Sequence, residues 1–246
     1  MKAVILAGGL GLRLRPFTEL IPKPLLPVGE SSVLDIQIRR LAGCGFNKIF
    51  IATNYLSEQI EEHVGDGSQY GIDIQVSREP MPLGTCGPVT LLRRQLKEPY
   101  LLMNGDILTT LDFRQPYDVA CGLDADLTVV TKQVVTPFAF GQVLGEGSYV
   151  AGVQEKPDLR FEILAGIYVL RPALFDVIPR DTYYGIDALI KDLLGAGRKV
   201  GKYVCRDFWL DIGQMEDYRR AHGSYLAHFT EAKDRCLAKT PSVTSE

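Results

Sequence analysis

Short apolar runs alternate with helix-sized amphipathic segments through the first hundred residues, and this alternation constrains the fold more than any other feature. Residues 2–7 form an apolar run ended by Gly8-Gly9, which reads as a strand buried on both faces. Ser31 or Ser32 can cap a helix reaching about Ala42, with Val33, Leu34, Ile38 and Leu41 on its apolar side. Residues 48–53 form the next strand. Ser57 can cap a further helix with Ile60 and Val64 facing inward, although no capping box is present there. Residues 72–77 read as a strand, 85–96 as a helix with Pro88 in its first turn, and 100–103 as a strand stopped by Asn104-Gly105-Asp106. Strands and helices at this spacing predict an α/β fold with a largely parallel, doubly wound sheet. Such sheets bind ligands beyond the carboxyl ends of their strands, here the loops at 8–18 and 104–106.

The second half changes character. Residues 126–132, 138–144, 149–154 and 163–170 read as strands, with Gly145-Glu146-Gly147 as a hairpin-type turn. These strands are expected to extend the sheet and build a second wall over the pocket. A helix over 186–194, a strand over 199–205 and a closing helix over 215–228 complete the pattern, with a frayed polar tail over 230–246. At 246 residues the chain needs neither disulfide nor structural metal, since a chain of this size buries roughly three quarters of its unfolded surface. The five cysteines are scattered and form no CxxC, so they read as free thiols in a reducing cytoplasm. The opening apolar run is too short for a signal peptide, and no run approaches the roughly 20 residues of a membrane span. A net charge of −3 argues against a nucleic-acid partner.

Against that acidic background, Lys2, Arg13, Arg15 and Lys23 gather near the N-terminus with only Glu19 opposing them, a balance that suits an anionic small molecule. The glycines at 8, 9 and 11 fit neither G-x-G-x-x-G nor a P-loop. Their physics still fits a phosphate cradle. Successive backbone N–H groups can turn toward one anion without Cβ atoms in the way, and Arg13 adds a forked donor. A plain tight turn is the alternative. Lys23 is clamped in Pro22-Lys23-Pro24, where both prolines stiffen the backbone and fix where the ammonium reaches. Asp106 and Asp211 each lie in an apolar run beside a glycine. Two strand-end carboxylates can share one Mg²⁺ with phosphate oxygens, or each can serve as a turn or cap residue. Glu155-Lys156-Pro157 repeats the proline-stiffened charge, for a phosphate or for a solvated ion pair.

Read in order, these motifs resemble one family, the sugar-phosphate nucleotidyltransferases. The resemblance runs through Leu6-Ala7-Gly8-Gly9-Leu10-Gly11-Leu12-Arg13-Leu14-Arg15-Pro16, Pro22-Lys23-Pro24, Glu79-Pro80-Met81-Pro82-Leu83-Gly84-Thr85 and Asn104-Gly105-Asp106. It continues through Glu155-Lys156-Pro157, Ala165-Gly166-Ile167-Tyr168 and Trp209-Leu210-Asp211-Ile212-Gly213, covering roughly residues 2–225. It implies a three-layer, Rossmann-like nucleotidyltransferase fold with a mostly parallel, mixed sheet whose extra strands form the sugar side. One domain is expected over 1–229, with a nucleotide half to about 110 and a sugar-phosphate half beyond.

The implied reaction joins an NTP and a sugar 1-phosphate into an NDP-sugar and pyrophosphate. By the resemblance, Arg13, Lys23 and Asp106 are catalytic. Leu6, Ala7, Gly8, Gly9, Gly11, Arg13, Glu79, Pro82, Gly84, Thr85, Asn104 and Gly105 contact the nucleotide. Gly141, Glu155, Lys156 and Gly166 meet the sugar phosphate, and Asp106 and Asp211 hold Mg²⁺. A cytoplasmic enzyme is implied, and a homodimer is compatible with the family.

Glu79 stands where several relatives carry Gln against the base. A carboxylate only accepts, and guanine offers the adjacent N1–H and N2–H₂ donors, so GTP is favoured. A uridylyl- or thymidylyltransferase is the runner-up. Leu12, Leu164, Cys86 and Pro88 depart from the family pattern without removing a charge. A molybdenum-cofactor guanylyltransferase shares the Leu-Ala-Gly-Gly start but has no need of the Lys23 or Lys156 motifs. A catalytically inactive nucleotide-sugar-binding subunit should have lost a charged site residue, and none is missing here.

Overall fold

A computed structural model describes residues 1–229. The tail expected over 230–246, with Cys236, lies outside the described residues. The first strands and helices are β1 (Lys2–Leu6), β2 (Pro27–Val28), β3 (Ser31–Ser32), α1 (Val33–Gly43), β4 (Lys48–Thr53), α2 (Ser57–Val64) and β5 (Asp73–Arg78). Next come β6 (Tyr100–Asn104), β7 (Ile107–Thr109), α3 (Arg114–Gly122), β8 (Leu127–Pro137), β9 (Gln142–Leu144) and β10 (Gly152–Gln154). The chain continues with β11 (Asp158–Leu170), α4 (Ile186–Gly195), β12 (Val200–Cys205), β13 (Trp209–Asp211) and α5 (Met215–His228).

Seven strands form the central sheet in the order β12-β8-β11-β6-β1-β4-β5. All neighbours are parallel except β11, which runs antiparallel to both β6 and β8. The chain starts at β1, moves outward through β4 and β5, then returns to β6 on the other side of β1. That reversal opens a crevice at the carboxyl ends of β1 and β6. Side chains alternate between two cores. Ala3 and Ile5 of β1 join Leu34, Ile38, Ile60 and Phe113 on one face, while Val4 joins Val89, Leu92, Leu189 and Leu193 on the other. Burial on both faces explains the near-continuous apolar runs.

Local chemistry set several boundaries. Ser32 caps α1 through a capping box, its hydroxyl accepting from Asp35 N at 3.0 Å. Ser57 is no cap. It sits inside α2 after Leu56, which takes φ 51°, and its hydroxyl shares a 2.7 Å bond with Thr53 Oγ1. The helix expected over 85–96 is only a 3-10 stretch, Gly87–Leu92. The N–H groups of Cys86 and Gly87, which no helical turn would pair, donate to Tyr184 O at 2.9 and 3.3 Å.

The strands expected at 138–144 and 149–154 shrink to β9 and β10, a hairpin separate from the main sheet. β8 and β11 are instead longer than expected, pairing through Asp158↔Pro137 as a ribbon that runs past the sheet. Because β11 is reversed, its first residues lie at the carboxyl ends of β6 and β8, so the ribbon leaves from the rim that holds the crevice. Between Leu164 and Tyr168 the β8–β11 register slips, a bulge centred on Gly166 at φ 70°. The elements α3, β7 and β13 and the β2–β3 pair carry no separate signal in the sequence pattern.

Candidate active site

The crevice is a cavity of about 550 Å³. Its floor is the end of β1 and β6, where Gly105 N donates to Leu6 O at 2.8 Å, and Leu6, Ala7, Asn104, Gly105 and Asp106 all line it. Gly8, Gly9, Gly11 and Arg13 form the next wall. Gly11 has φ 61°, and a Cβ there would lie 2.7 Å from Thr18 Cγ2, so this turn requires glycine. The loop that follows coils through short 3-10 turns at Leu12–Leu14, Phe17–Glu19 and Lys23–Leu25. It is pinned from below by Leu14 and Leu26, which pack with Val33, Leu108, Leu210 and Ile212. Lys23 thereby reaches the cavity, where its ammonium donates to Asp106 Oδ2.

The two carboxylates are brought together by a strand pair, β7 with β13. Asp211 opposes Ile107, and Ile212 N donates to Asp106 O at 2.9 Å. Oδ1 of Asp106 and Oδ1 of Asp211 are both buried without a hydrogen-bond partner. Burial and the neighbouring Asp106 push the Asp211 carboxyl up to about 6, against the pull of Lys23 and Arg13. Two orphaned oxygens of like charge suit a divalent cation. Among the described residues no cluster of three His, Cys, Asp or Glu could hold a metal by itself. The donor set therefore fits Mg²⁺, which takes one or two carboxylates and completes its shell with phosphate and water. Behind the turn, the buried Gln37 of α1 donates from Nε2 to Asn104 O at 3.0 Å and to Ile107 O at 2.8 Å. It braces both sides of Gly105-Asp106, a role that its place on an amphipathic helix did not signal.

At the other end, Glu79 follows β5 and is held by Glu79 N donating to Thr53 O at 2.7 Å. Its Oε2 accepts from Leu83 N at 3.0 Å. Its Oε1 lies 2.8 Å from where a Cβ on Gly8 would stand, so Gly8 makes room for the carboxylate. Burial raises the Glu79 pKa, with the Leu83 N–H opposing. Pro82, Gly84 and Thr85 complete this end, together with Tyr183, which sequence reasoning missed.

The profile of the nucleotidyl transferase family matches residues 2–228. The chain belongs to that family. A mannose-1-phosphate guanyltransferase of Neurospora crassa is 31% identical over 98% of this chain and 68% of its own. One from Schizosaccharomyces pombe is 32% identical over 98% of this chain and 69% of its own. The solved structure of HddC from Yersinia pseudotuberculosis complexed with GMP-PN shares the fold. Its TM-score is 0.69 at 24% identity, covering 91% of this chain and 99% of that one.

Not every residue expected of a nucleotidyl transferase site lies on the cavity. Asp211 stands behind its wall, beside Gly213, which does line it and whose Cβ position is 3.6 Å from Arg13 Nη2. Gly166 is also set back, against Asn104, where a Cβ would come 2.8 Å from Nδ2. Gly141, Glu155 and Lys156 are not among the lining residues. They belong to the exposed β9–β10 arm, with Lys156 at φ 44° in the turn before β11 and Gly141 facing Glu155. The departures from the family pattern fall on either side of this division. Leu12 lines the cavity, and Leu164 lies where the ribbon leaves the sheet. Among the described residues, Cys44, Cys86, Cys121 and Cys205 form no disulfide. No described helix is long and apolar enough to cross a membrane.

Proposed function

We propose that this chain transfers a guanylyl group from GTP to a sugar 1-phosphate, giving a GDP-sugar and pyrophosphate. One observation carries the reading: Arg13, Lys23, Asp106 and Asp211 converge at the switch point of the sheet, with two buried carboxylate oxygens left without partners. Both reactants are phosphate anions, so the task is to neutralise charge and hold the attacking oxygen in line with the α-phosphorus. The sugar phosphate is already ionised and needs no general base. The backbone at Gly8, Gly9 and Gly11 cradles the triphosphate, and Arg13 takes the charge of the leaving pyrophosphate. Lys23 exchanges Asp106 for phosphate oxygens as the nucleotide enters. Asp106 and Asp211 would hold Mg²⁺, which when bound supplies positive charge to the phosphate oxygens.

Glu79 keeps one oxygen on Leu83 N and turns the other toward the base. An acceptor-only group there favours guanine over uracil or thymine. The arm and its root supply the acceptor side: Glu155 and Gly141 of the arm and Gly166 at its base line the sugar, and Lys156 receives its phosphate. The curated relatives are named for mannose 1-phosphate, which makes it the first acceptor to try. The test is pyrophosphate release with Mg²⁺ across GTP, UTP, dTTP, CTP and ATP, each against a panel of sugar 1-phosphates. Turnover led by GTP supports the proposal. Equal turnover with all five would sink the base assignment, and no turnover with any pair would sink the enzyme.

A further inference from the structure

One wall of the cavity has no part in the phosphate chemistry. Tyr183 lines it, yet it lies in none of the motifs and belongs to none of the three hydrophobic clusters. Its residue surface is 67% exposed. The backbone beneath it is fixed. Tyr184 N donates to Leu83 O at 2.9 Å, and Tyr184 O accepts from Cys86 N and Gly87 N. The Tyr184 hydroxyl is held by Asp192 of α4.

Gly84 lets the neighbouring ring close down on the loop. A Cβ at Gly84 would stand 3.3 Å from Tyr183 Cε2 and 2.9 Å from Tyr184 O. The same loop gives the Leu83 N–H that orients Glu79. Tyr183 therefore packs on Gly84, one residue along the loop from the Leu83 whose N–H holds the carboxylate assigned to the base edge. A large ring left exposed at a cavity rim, beside a residue tied down by three backbone bonds, offers a stacking face to a planar partner.

We infer that Tyr183 contacts the nucleotide directly, its ring stacking on the base of the bound NTP. The inference rests on reading the cavity as a nucleotide site, and is independent of which base is bound. Glu79 meets an edge, which differs between bases. Tyr183 meets a face, which every base has. Tyr183 then supplies affinity common to all nucleotides, while Glu79 supplies the discrimination.

Isothermal titration of GTP, UTP and dTTP into wild type, Tyr183→Ala and Tyr183→Phe tests this, with the ligand-free Tm of each protein measured alongside. The expected result is an unchanged Tm, about tenfold or greater weakening by Tyr183→Ala for every nucleotide that wild type binds, and wild-type affinity for Tyr183→Phe. Wild-type affinity in Tyr183→Ala overturns the inference. So does a loss accompanied by a fall in ligand-free Tm, or a Tyr183→Phe protein as weak as Tyr183→Ala. Wild type binding UTP as tightly as GTP removes the Glu79 reading and leaves Tyr183 to be judged by its own variants. Wild type binding no nucleotide overturns both.

Discussion

The loops around the cavity and the arm that leaves its rim are built in opposite ways. The cavity loops end buried strands, and the longest of them is pinned by Leu14 and Leu26 in a small core of its own. The arm is a ribbon of two strands with a short hairpin, and its apolar side chains face solvent, Phe140 at 70% and Tyr149 at 87% exposure. An isolated two-stranded hairpin is marginal in water. The contrast teaches that the loops lining the cavity are set by the fold itself, whereas the arm is held by little beyond its own ladder. Lys23 accordingly lines the cavity and Lys156 does not.

Five substitutions break or sharpen that contrast. Lys23→Ala and Asp106→Asn strike the preformed side and should each lower kcat by about 10²–10³, since Lys23 carries charge complementary to the transferring phosphoryl group and Asp106 would hold the Mg²⁺ that supplies more of it. A steady-state assay at saturating substrates reads this, and a variant within twofold of wild type would remove the preformed site. Glu79→Gln should leave kcat with GTP nearly intact but cut the preference for GTP over UTP. The cut is on the order of tenfold, the worth of one charge-assisted hydrogen bond to a base. The ratio of kcat/KM values measures it.

Lys156→Ala probes the arm. The KM for sugar 1-phosphate should rise about tenfold, the scale of one charge-assisted hydrogen bond, while GTP affinity stays put. A matching loss of GTP affinity would show that the two sides are not separate. The smallest effect concerns strain on the preformed side. Burial and Asp106 raise the Asp211 pKa to about 6, so the folded protein holds a proton that the unfolded chain releases near its ordinary value of 3.8. Stability therefore falls as pH rises through that window, and above it the ionised carboxylate is a liability. Asp211→Asn should raise the Tm of metal-free protein at pH 7.5 by roughly 2–4 °C, and the gain should shrink at pH 5. A lower Tm at pH 7.5 would place the strain elsewhere.

The donor side was legible because its signals are local. Gly8, Lys23, Glu79 and Asp106 each sit at or just beyond a buried strand or between prolines, where a few neighbouring residues decide the geometry. Asp211 was legible only through its motif, since its meeting with Asp106 depends on β7 pairing with β13 across the chain. Tyr183 and Gln37 carried no signal. One is brought to the cavity by backbone bonds to residues 83–87, and the other acts through main-chain carbonyls of β6 and β7. The alternation of strands and helices revealed the parallel part of the sheet. The reversal of β11 was hidden, because a central strand reads as the same apolar run in either direction. The helix expected at 85–96 is realised as a 3-10 stretch, Gly87–Leu92, with Pro88 in its first turn.

The irregularity at Gly166 ties the arm to the cavity floor. It interrupts the β8–β11 ladder where the ribbon departs, and Asn104, whose carbonyl Gln37 grips, stands against it from the neighbouring strand. The ribbon thus leaves the sheet at the same few atoms that hold the Asn104-Gly105-Asp106 turn, and any side chain added at Gly166 would push on that turn first, its Cβ coming 2.8 Å from Asn104 Nδ2.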